Sequence, residues 1–416
     1  MPTSPNQRFA PPPLSRQMDL FAGMASAYAQ ADALTQDQLY GMLQVRGLVD
    51  AAALKRKEAV GVAQAPVAVT KRKIRWYQQD LRQRGLIERV PGLRGTWRAT
   101  EKGRKASELT PATPRVAMIA FSTDLGVALW GACNDVFDGF TEDIGVCITS
   151  PPYPLRQPRA YGNVDEQQWV DWVCTCLEPI IRKLVRGGTL AINVSNDIFL
   201  KGTPARSTYV ERFVLAMCDR FGLFKMDSLV WENPCKPPGP LQWASKSRQQ
   251  LNVGYEPVLV FTNDPKAWRA DNRRVLQPHT ETHLRLQAQG GEGRQAVYGD
   301  GAYRIREGSF SSTTLGRIPR NVLRFRHNCP DQAPARRAAK ERGLPMHGAL
   351  MPLALADFLV RWLAAPDDLV AEPFGGWWTV PRAAEINGRP WISSEMMLEY
   401  ATCGAERFVG CPGFER

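Results

Sequence analysis

From about residue 115 onward, short apolar segments alternate with amphipathic segments of helical period, and this alternation restricts the folds open to the chain. The segments with strand character are DIGVCITSPPY, GGTLAINVSND, KMDSLVWEN, YEPVLVFTN, DDLVAEPFGG and RPWISSEM. The helical segments are WVDWVCTCLEPIIRKLV, YVERFVLAMCDRFG, ALMPLALADFLVRWLAA and PRAAEING. Strands joined by crossover helices are typical of an α/β fold, so we expect a parallel sheet with helices on both faces.

Residues 264–340 interrupt the alternation, because they are rich in Arg and Gly and show no clear period. Inside an α/β domain such a stretch is usually an inserted functional segment or a long loop. A chain of 416 residues is also too long for one typical domain. We therefore divide it into residues 1–30, 31–112, 113–263, 264–340 and 341–416.

The region before the alternating pattern is predicted to form a separate helical unit, residues 31–112, behind a Pro-rich flexible arm, residues 1–30. LTQDQLYGMLQVRG begins with the Thr-x-x-Gln pattern of a capping box. In the next helix, KRKIRWYQQDLRQRG, apolar Ile74, Tyr77 and Leu81 share one face, and Gly85 is placed to end the helix. LIERVPGLRGTWRAT predicts two strands around a Pro-Gly turn.

This order of helix, basic helix and β-hairpin resembles a winged helix. In such a unit the basic helix would lie in a DNA major groove and the hairpin on the phosphates. The candidate DNA contacts on the basic helix are Lys71, Arg72, Lys73 and Arg75. The alternative is a dimerisation or docking module with a charged outer face.

The distribution of charge also indicates a polyanionic partner. The formal net charge is +12, and residues 1–110 alone carry 18 Lys/Arg against 9 Asp/Glu. A concentrated positive field points most simply to nucleic acid, and an ordinary solvated basic face is the alternative. In the insertion, DPKAWRADNRRV and TTLGRIPRNVLRFRH interleave basic and aromatic residues, which fits phosphate and base-edge contact. The candidate contacts there are Arg317, Arg320, Arg324 and Arg326.

Several other classes are disfavoured. No apolar run approaches the roughly 20 residues of a membrane span. The first residues lack the apolar region of a secretory signal, so we expect a cytoplasmic protein. Nine scattered cysteines without a Cys-x-x-Cys indicate reduced thiols, and four histidines without a zinc-binding motif predict no metal site.

The segment TSPPY ends one of the predicted strands and therefore lies at the sheet edge where α/β proteins bind ligands. Prolines 151 and 152 have no N–H, so their carbonyls are expected to stay free to accept. Ser150 Oγ and the Pro151 carbonyl would form a rigid pair of acceptors, with the flat ring of Tyr153 beside them. Two acceptors that hold the hydrogens of an aromatic –NH₂ can raise its nucleophilicity, and stacking would hold a base extruded from the duplex.

With its neighbours, this segment resembles the β-class DNA amino-methyltransferases. TSPPY (149–153) is similar to the family's (D/S/N)PPY motif, and WENPCKPPG through YEPVLVFT (231–262) to its W-x-K-x-N-P…E-x-x-x-x-F segment. HGALMP (347–352) resembles H-P-A-x-F-P, and LVAEPFGGWWTVPRAAEINGRPWISSEMMLEY (369–400) resembles the family's cofactor segment. The resemblance covers about residues 115–410 and implies a catalytic region at 113–263, a target-recognition insertion at 264–340 and a cofactor-binding region at 341–416.

The resemblance implies roles for particular residues. Ser150, Pro151, Pro152 and Tyr153 would hold and activate the target amine. The residues implied to bind S-adenosylmethionine are Thr149, His347, Ala349, Met351, Glu372, Pro373, Phe374, Gly375, Gly376, Thr379 and Glu395. Among them, Glu395 would hold ribose hydroxyls and His347, Ala349 and Met351 would border the methionine end.

The sequence departs from the family at the cofactor turn. Trp377 and Trp378 occupy the positions of a serine and of a second turn glycine, where a small residue lets the backbone approach the ligand. Two indoles would either pack on the cofactor or weaken its binding. Glu372 also stands where the family has Asp.

The predicted reaction is methyl transfer from S-adenosylmethionine to the exocyclic amine of a flipped base in duplex DNA, with a proton lost to solvent or a weak acceptor. Ser150 favours N4 of cytosine, and N6 of adenine is the alternative. The rivals are a non-catalytic DNA-binding regulator on a degenerate methyltransferase fold and, less favoured, an RNA methyltransferase. Cys235 lacks the context of the thiol in ring-carbon methyltransferases. The resemblance places the enzyme in the bacterial cytoplasm at the nucleoid and leaves open a homodimer and a separate cognate endonuclease.

Overall fold

The protein is described here from a computed structural model. The described residues are 24, 27–46, 48–60, 65–83, 85–93, 95–106, 117–155 and 164–416. Most of the predicted flexible arm, residues 1–30, lies outside them.

The described residues form short helices and strands throughout. The α-helices are α1 Gln36–Val45, α2 Ala51–Lys55, α3 Val69–Gln83, α4 Glu101–Ala106, α5 Cys133–Phe137, α6 Trp169–Ile181, α7 Tyr209–Phe221, α8 Glu281–Ala288, α9 Ala333–Glu341, α10 Leu353–Leu363, α11 Thr379–Ile386 and α12 Leu398–Ala405. The strands are β1 Leu34–Thr35, β2 Glu58–Val60, β3 Ala65–Val67, β4 Ile87–Arg89, β5 Thr96–Ala99, β6 Met118–Ser122, β7 Gly126–Trp130, β8 Ile144–Thr149, β9 Leu184–Asn193, β10 Phe224–Glu232, β11 Tyr255–Thr262, β12 Ala296–Tyr298, β13 Tyr303–Ile305, β14 Val322–Arg324, β15 Val370–Glu372 and β16 Trp391–Glu395. No helix in the described part of the chain is long and apolar enough to cross a membrane.

The N-terminal unit has its own apolar core. The predicted capping box is confirmed, because Gln38 N donates to Thr35 Oγ1 over 3.3 Å and Thr35 N donates to Gln38 Oε1 over 2.9 Å at the start of α1. The predicted apolar face of α3 is buried at Ile74, Tyr77 and Leu81. The hairpin of β4 and β5 follows, so the predicted order of helix, basic helix and hairpin is present. Its use as a winged helix stays a prediction.

The main sheet has nine strands in the order β14-β10-β11-β9-β8-β15-β16-β7-β6. Its centre is parallel, from β9 through β8, β15 and β16 to β7. The chain proceeds from β8 through α6 to β9 in one direction, and from β15 through α11 to β16 in the other. The boundary between β8 and β15 is therefore the switch point at which open α/β sheets bind ligands.

The prediction of a parallel sheet is wrong at its two sides. β11 runs antiparallel to both β9 and β10, and β6 runs antiparallel to β7. β10 and β11 are joined without an intervening α-helix, so the chain has no crossover that would return it to the parallel direction.

Helices cover both faces of the sheet, as predicted. The cluster on one face includes Trp169 and Leu177 of α6 and Phe213 of α7. The cluster on the other face includes Leu359 of α10 and aromatic residues of the outer strands. All six residues of β8 are buried, because that strand lies between the two clusters. A strand buried on both faces explains the continuous apolar run in its sequence.

The insertion, residues 264–340, contains more regular structure than a long loop. It includes α8, the hairpin of β12 and β13, and most of α9. Its strand β14 joins the edge of the main sheet, where it pairs in parallel with β10. The insertion is therefore attached to the outer side of the sheet, next to the last residues of β10.

Candidate active site

The SPPY segment follows β8 directly at the switch point. Pro151 is buried, whereas Ser150, Pro152 and Tyr153 are partly exposed. Trp169 Nε1 donates to the Pro152 carbonyl over 2.7 Å. The expectation that both proline carbonyls stay free is therefore wrong for Pro152, because the indole at the start of α6 fixes the turn through that oxygen.

The hydroxyl of Tyr153 is the centre of a polar network. It lies 3.0 Å from Ser150 Oγ, 2.8 Å from Asn193 Oδ1 and 3.1 Å from Glu256 Oε2. Ser150 Oγ is 3.5 Å from the same Asn193 oxygen. The tyrosine therefore holds the serine at the sheet edge through its hydroxyl, a role additional to the base stacking predicted for its ring.

Two further contacts fix the outer members of this network. Asn193 Nδ2 donates to the Pro257 carbonyl over 3.2 Å, which orients Oδ1 toward the tyrosine. Lys236 Nζ forms an ion pair of 2.8 Å with Glu256 Oε1, and both side chains are more than four-fifths buried. Trp169, Asn193, Lys236 and Glu256 were not identified from the sequence. The sequence signal that could have identified two of them is their position in the strands. Asn193 is the last residue of β9 and Glu256 is the second residue of β11, so both lie at the same end of the sheet.

Tyr153 is protonated at physiological pH, because the ordinary pKa of a tyrosine is already about 10, and burial reinforces that state. Removal from water, and after it the negative charge of Glu256, raises the pKa of Tyr153 well above its ordinary value. The phenol is thus a neutral donor at physiological pH. It can pass a proton onward only as it receives another.

The glycine turn after β15 lies beside this segment, although the two are more than 200 residues apart in sequence. Gly375 N donates to the Ser394 carbonyl over 2.8 Å, and Gly376 N donates to Glu395 Oε2 over 2.6 Å. Gly376 has φ +55, and a Cβ atom there would lie 2.9 Å from His347 Nε2. A side chain at this position would therefore be strained and would displace the histidine.

Two buried carboxyl groups border the turn. Burial, and after it the charge of Glu395, raises the pKa of Glu372 well above its ordinary value. Burial raises the pKa of Glu395 to about 7, although backbone N–H groups of Met397 and Gly376 oppose the shift. Glu372 Oε2 and Thr149 Oγ1 are buried without a hydrogen-bond partner among the described residues.

These features fit S-adenosylmethionine. Buried polar atoms normally have partners, so Glu372 Oε2 and Thr149 Oγ1 are atoms that a polar ligand would satisfy. A carboxylate accepts up to about four hydrogen bonds, so Glu395 retains capacity for ribose hydroxyls beside its two backbone donors.

Trp377 and Trp378 point into hydrophobic clusters. Trp378 packs edge-on against Phe121, and its Nε1 donates to the Ala401 carbonyl over 3.0 Å. Trp377 is buried in the cluster that contains Tyr400. A Cβ atom on Gly404 would lie 2.5 Å from the Trp378 ring and 2.8 Å from Trp377 Cα. The absent side chain at 404 therefore makes room for the two tryptophans behind the turn.

The remaining predicted cofactor residues lie around the same turn. His347 packs against Tyr400 with ring centroids 4.7 Å apart, and its Nδ1 accepts from Ala349 N over 3.4 Å. Met351 is buried in the cluster on one sheet face, and Phe374 packs on Trp172 on the other. Pro373 accepts from Ser394 Oγ, and Thr379 Oγ1 accepts from Arg407. Their contacts with the cofactor stay predictions.

The predicted DNA contacts differ in their surroundings. On α3, Arg72 and Arg75 are exposed, and the Lys71 ammonium lies 5.2 Å from the centre of the Tyr40 ring. Partial burial lowers the pKa of Lys73, and the negative charge of Asp165 opposes that shift.

The four candidate arginines of the insertion, Arg317, Arg320, Arg324 and Arg326, are exposed. Arg324 pairs with Glu232 over 3.3 Å at the candidate-site edge. Arg317 donates to the Pro278 carbonyl, and Arg320 borders a separate apolar cleft of about 220 Å³. The structure therefore does not bring Arg320 to the SPPY edge.

Replacement of Glu395 by Gln should change how stability depends on pH. The folded protein favours protonated Glu395, so its contribution is complete below about pH 4.5 and is lost as pH rises through about 7. Over that window the wild type should lose up to about 3 kcal/mol that the variant retains. Urea unfolding of both proteins at pH 5 and pH 8 measures this. An equal pH dependence in the two proteins would contradict it.

Comparison with known proteins agrees with the geometry. A family model described as DNA methylase matches residues 144–406. The type II methyltransferase M.PvuII of Proteus hauseri is 31% identical over 292 residues, which cover 70% of this chain and 85% of that protein. The type II methyltransferase M.BglII of Bacillus subtilis is 22% identical over 283 residues, 67% of each chain.

The fold is also similar to that of a solved DNA methyltransferase. PvuII DNA methyltransferase, described as cytosine-N4-specific, aligns with a TM-score of 0.54 and 28% identity over 70% of this chain and 88% of that chain. The family match includes both the SPPY segment and the glycine turn and leaves the N-terminal unit outside it. The chain belongs to the DNA methylase family of N6 and N4 amino-methyltransferases.

Proposed function

We propose that this protein transfers a methyl group from S-adenosylmethionine to N4 of a cytosine flipped out of duplex DNA. The observation that carries the proposal is the position of Ser150, which follows β8 at the switch point directly beside the Gly375–Gly376 turn after β15. An acceptor for an amine and a turn suited to the methyl donor thus share one sheet edge.

The chain's own groups account for the binding of both substrates. Ser150 Oγ and the Pro151 carbonyl accept hydrogen bonds from the target amine, and Tyr153 supplies a surface for its base. Glu395 accepts from ribose hydroxyls, and His347 borders the methionine end. S-adenosylmethionine supplies a methyl group made electrophilic by the sulfonium charge.

Cytosine N4 is favoured over adenine N6 on two grounds. A neutral serine precedes Pro-Pro-Tyr, where an aspartate would favour adenine. The 28% identical structure is that of an enzyme described as cytosine-N4-specific. The regulator hypothesis rests on Trp377, Trp378 and the basic N-terminal unit, and both indoles lie in hydrophobic clusters.

Base-resolved methylation mapping tests the proposal. DNA from a host that expresses the chain should contain N4-methylcytosine at one short sequence, and a host that expresses S150A should not. N6-methyladenine alone would replace the cytosine assignment with adenine. No methylated base, together with no heat of S-adenosylmethionine binding in calorimetry, would support the regulator.

DNA contacts would come from the N-terminal unit and the insertion. With α3 in a major groove, Arg72 and Arg75, and Lys71 and Lys73 beside them, would contact the phosphates that border the groove. Arg317, Arg320 and Arg324 would contact DNA from the insertion. The enzyme would act on nucleoid DNA in the bacterial cytoplasm. A homodimer and a separate cognate endonuclease are consistent with the family, and an enzyme without a nuclease partner is the alternative.

Removal of the two exposed arginines of α3 should weaken DNA binding without base preference. The double variant R72A/R75A should lower the slope of log affinity against log salt by about 2, because each phosphate contact releases about one counterion. Fluorescence anisotropy at several salt concentrations measures the slope. R182A removes an exposed arginine that follows α6 and pairs with Glu178, and it should leave the slope unchanged. Equal slopes for R72A/R75A and wild type would show that α3 does not contact DNA.

A further inference from the structure

The reaction leaves a proton that the SPPY segment cannot keep. As the amine nitrogen bonds to the methyl carbon, the carbon–sulfur bond breaks and its electron pair returns to sulfur. The nitrogen is left with a positive charge and a surplus hydrogen. Ser150, whose oxygen would accept that hydrogen, is a neutral alcohol and must pass a proton onward. This argument rests on the proposed function.

Among the described side chains connected to Ser150 by hydrogen bonds, one is a base. Asn193 is an amide, which does not hold a proton at neutral pH. Tyr153 is a neutral phenol at an ordinary pKa of about 10, and its surroundings raise that pKa further. Glu256 is a carboxylate whose Oε2 lies 3.1 Å from the tyrosine hydroxyl. A continuous path therefore runs from Ser150 Oγ to Tyr153 Oη over 3.0 Å and from there to Glu256.

We propose that Glu256 is the proton acceptor of the reaction, reached through the hydroxyl of Tyr153. In one concerted shift, the amine hydrogen passes to Ser150 Oγ, the serine hydrogen to Tyr153 Oη, and the tyrosine hydrogen to Glu256 Oε2. Serine and tyrosine are unchanged at the end, and the protonated Glu256 releases the proton to solvent between turnovers. Glu256 thereby acts as general base at a distance from the base pocket.

The surroundings of Glu256 suit this role. Lys236 is a positioning residue, because its ammonium holds Oε1 at 2.8 Å and leaves Oε2 directed to Tyr153. The other titratable groups that feel its charge are Tyr209 and Asp197. Burial raises the pKa of Asp197, and Lys236 opposes the shift. The Asp197 carboxyl is therefore a further titratable group near the site.

The test is the rate constant of single-turnover methyl transfer and its solvent deuterium isotope effect. Enzyme bound to cognate DNA is mixed at about pH 7.5 with labelled S-adenosylmethionine in H₂O or D₂O and quenched. Glu256→Gln should lower the rate constant by about 100-fold. It should also remove the isotope effect that proton movement along the Ser150–Tyr153–Glu256 path should give the wild type. Dissociation constants for donor and DNA should stay within twofold.

Two further variants separate the proton path from loss of structure. E256Q leaves the Lys236 ammonium unpaired, so E256Q/K236M, which removes that charge, should show the same slow reaction without an isotope effect. Tyr153→Phe keeps the Lys236–Glu256 pair and should also lose the isotope effect. E211Q, which changes an exposed carboxyl on α7, should behave as wild type.

The outcomes distinguish the inference from the proposed function. An isotope effect that persists in E256Q, with a rate within threefold of wild type, would overturn the role of Glu256. Loss of the isotope effect in E256Q but not in Y153F would overturn the route through the tyrosine. Wild type that methylates no base would overturn both the route and the proposed function.

Discussion

Ser150→Ala should lower the single-turnover rate constant of methyl transfer by about 100- to 1,000-fold, the cost typical of removing one group that stabilises charge in a transition state. Alanine removes the oxygen that would accept from the target amine and that begins the proton path. The fold should not change, because Tyr153 keeps its hydrogen bonds to Asn193 and Glu256. Affinity for S-adenosylmethionine should stay within twofold of wild type.

Rapid-quench assays with labelled donor measure the rate constant of S150A, and calorimetry measures donor binding. Ser247→Ala removes a hydroxyl that bonds to the Trp243 carbonyl outside the SPPY segment, and it should retain the wild-type rate. An S150A rate within tenfold of wild type would show that the serine is not the catalytic acceptor.

Arg407→Leu should destabilise the fold by about 3–5 kcal/mol, the range for removing one partner of a buried ion pair. The Arg407 side chain is fully buried and bonds to Asp331 through Nε at 2.8 Å, to Thr379 Oγ1 at 3.0 Å and to the Trp377 carbonyl. Leucine would fill much of the volume, leave the Trp377 carbonyl without this donor and leave Asp331 with Arg382 as its remaining ion-pair partner. The glycine turn would lose its support at the same time, so donor affinity should fall as well.

Equilibrium unfolding in urea measures the free energy lost in R407L. R182L removes an arginine whose side chain is 73% exposed and should cost less than about 1 kcal/mol, as exposed pairs do. A loss in R407L no larger than that in R182L would contradict the structural role of the buried guanidinium.

The sequence predicted the parts of the fold that local pattern determines. The capping box at Thr35, the apolar face of α3 and the strand that ends at the SPPY segment all follow from short-range periodicity and residue chemistry. The position of that segment at a ligand-binding edge followed from the alternation of strands and helices. These features depend on residues close in sequence, which is why pattern alone identified them.

The parts that sequence did not predict depend on contacts across the sheet. The antiparallel direction of β11 brings Glu256 next to Asn193 and Tyr153, and no periodicity encodes that register. The two tryptophans of the cofactor turn were expected to affect the ligand directly. Their actual direction depends on the missing side chain at Gly404, which lies 26 residues beyond Trp378.

Because β8 and β15 pair directly, the geometry of the site does not depend on which of its two halves comes first in the chain. β8 is followed by the SPPY segment and is flanked by β9, and β15 is followed by the glycine turn and is flanked by β16. Both loops therefore lie at the same end of the sheet. A rearranged gene that encoded the donor-binding half first would place the same atoms at the same boundary between β8 and β15.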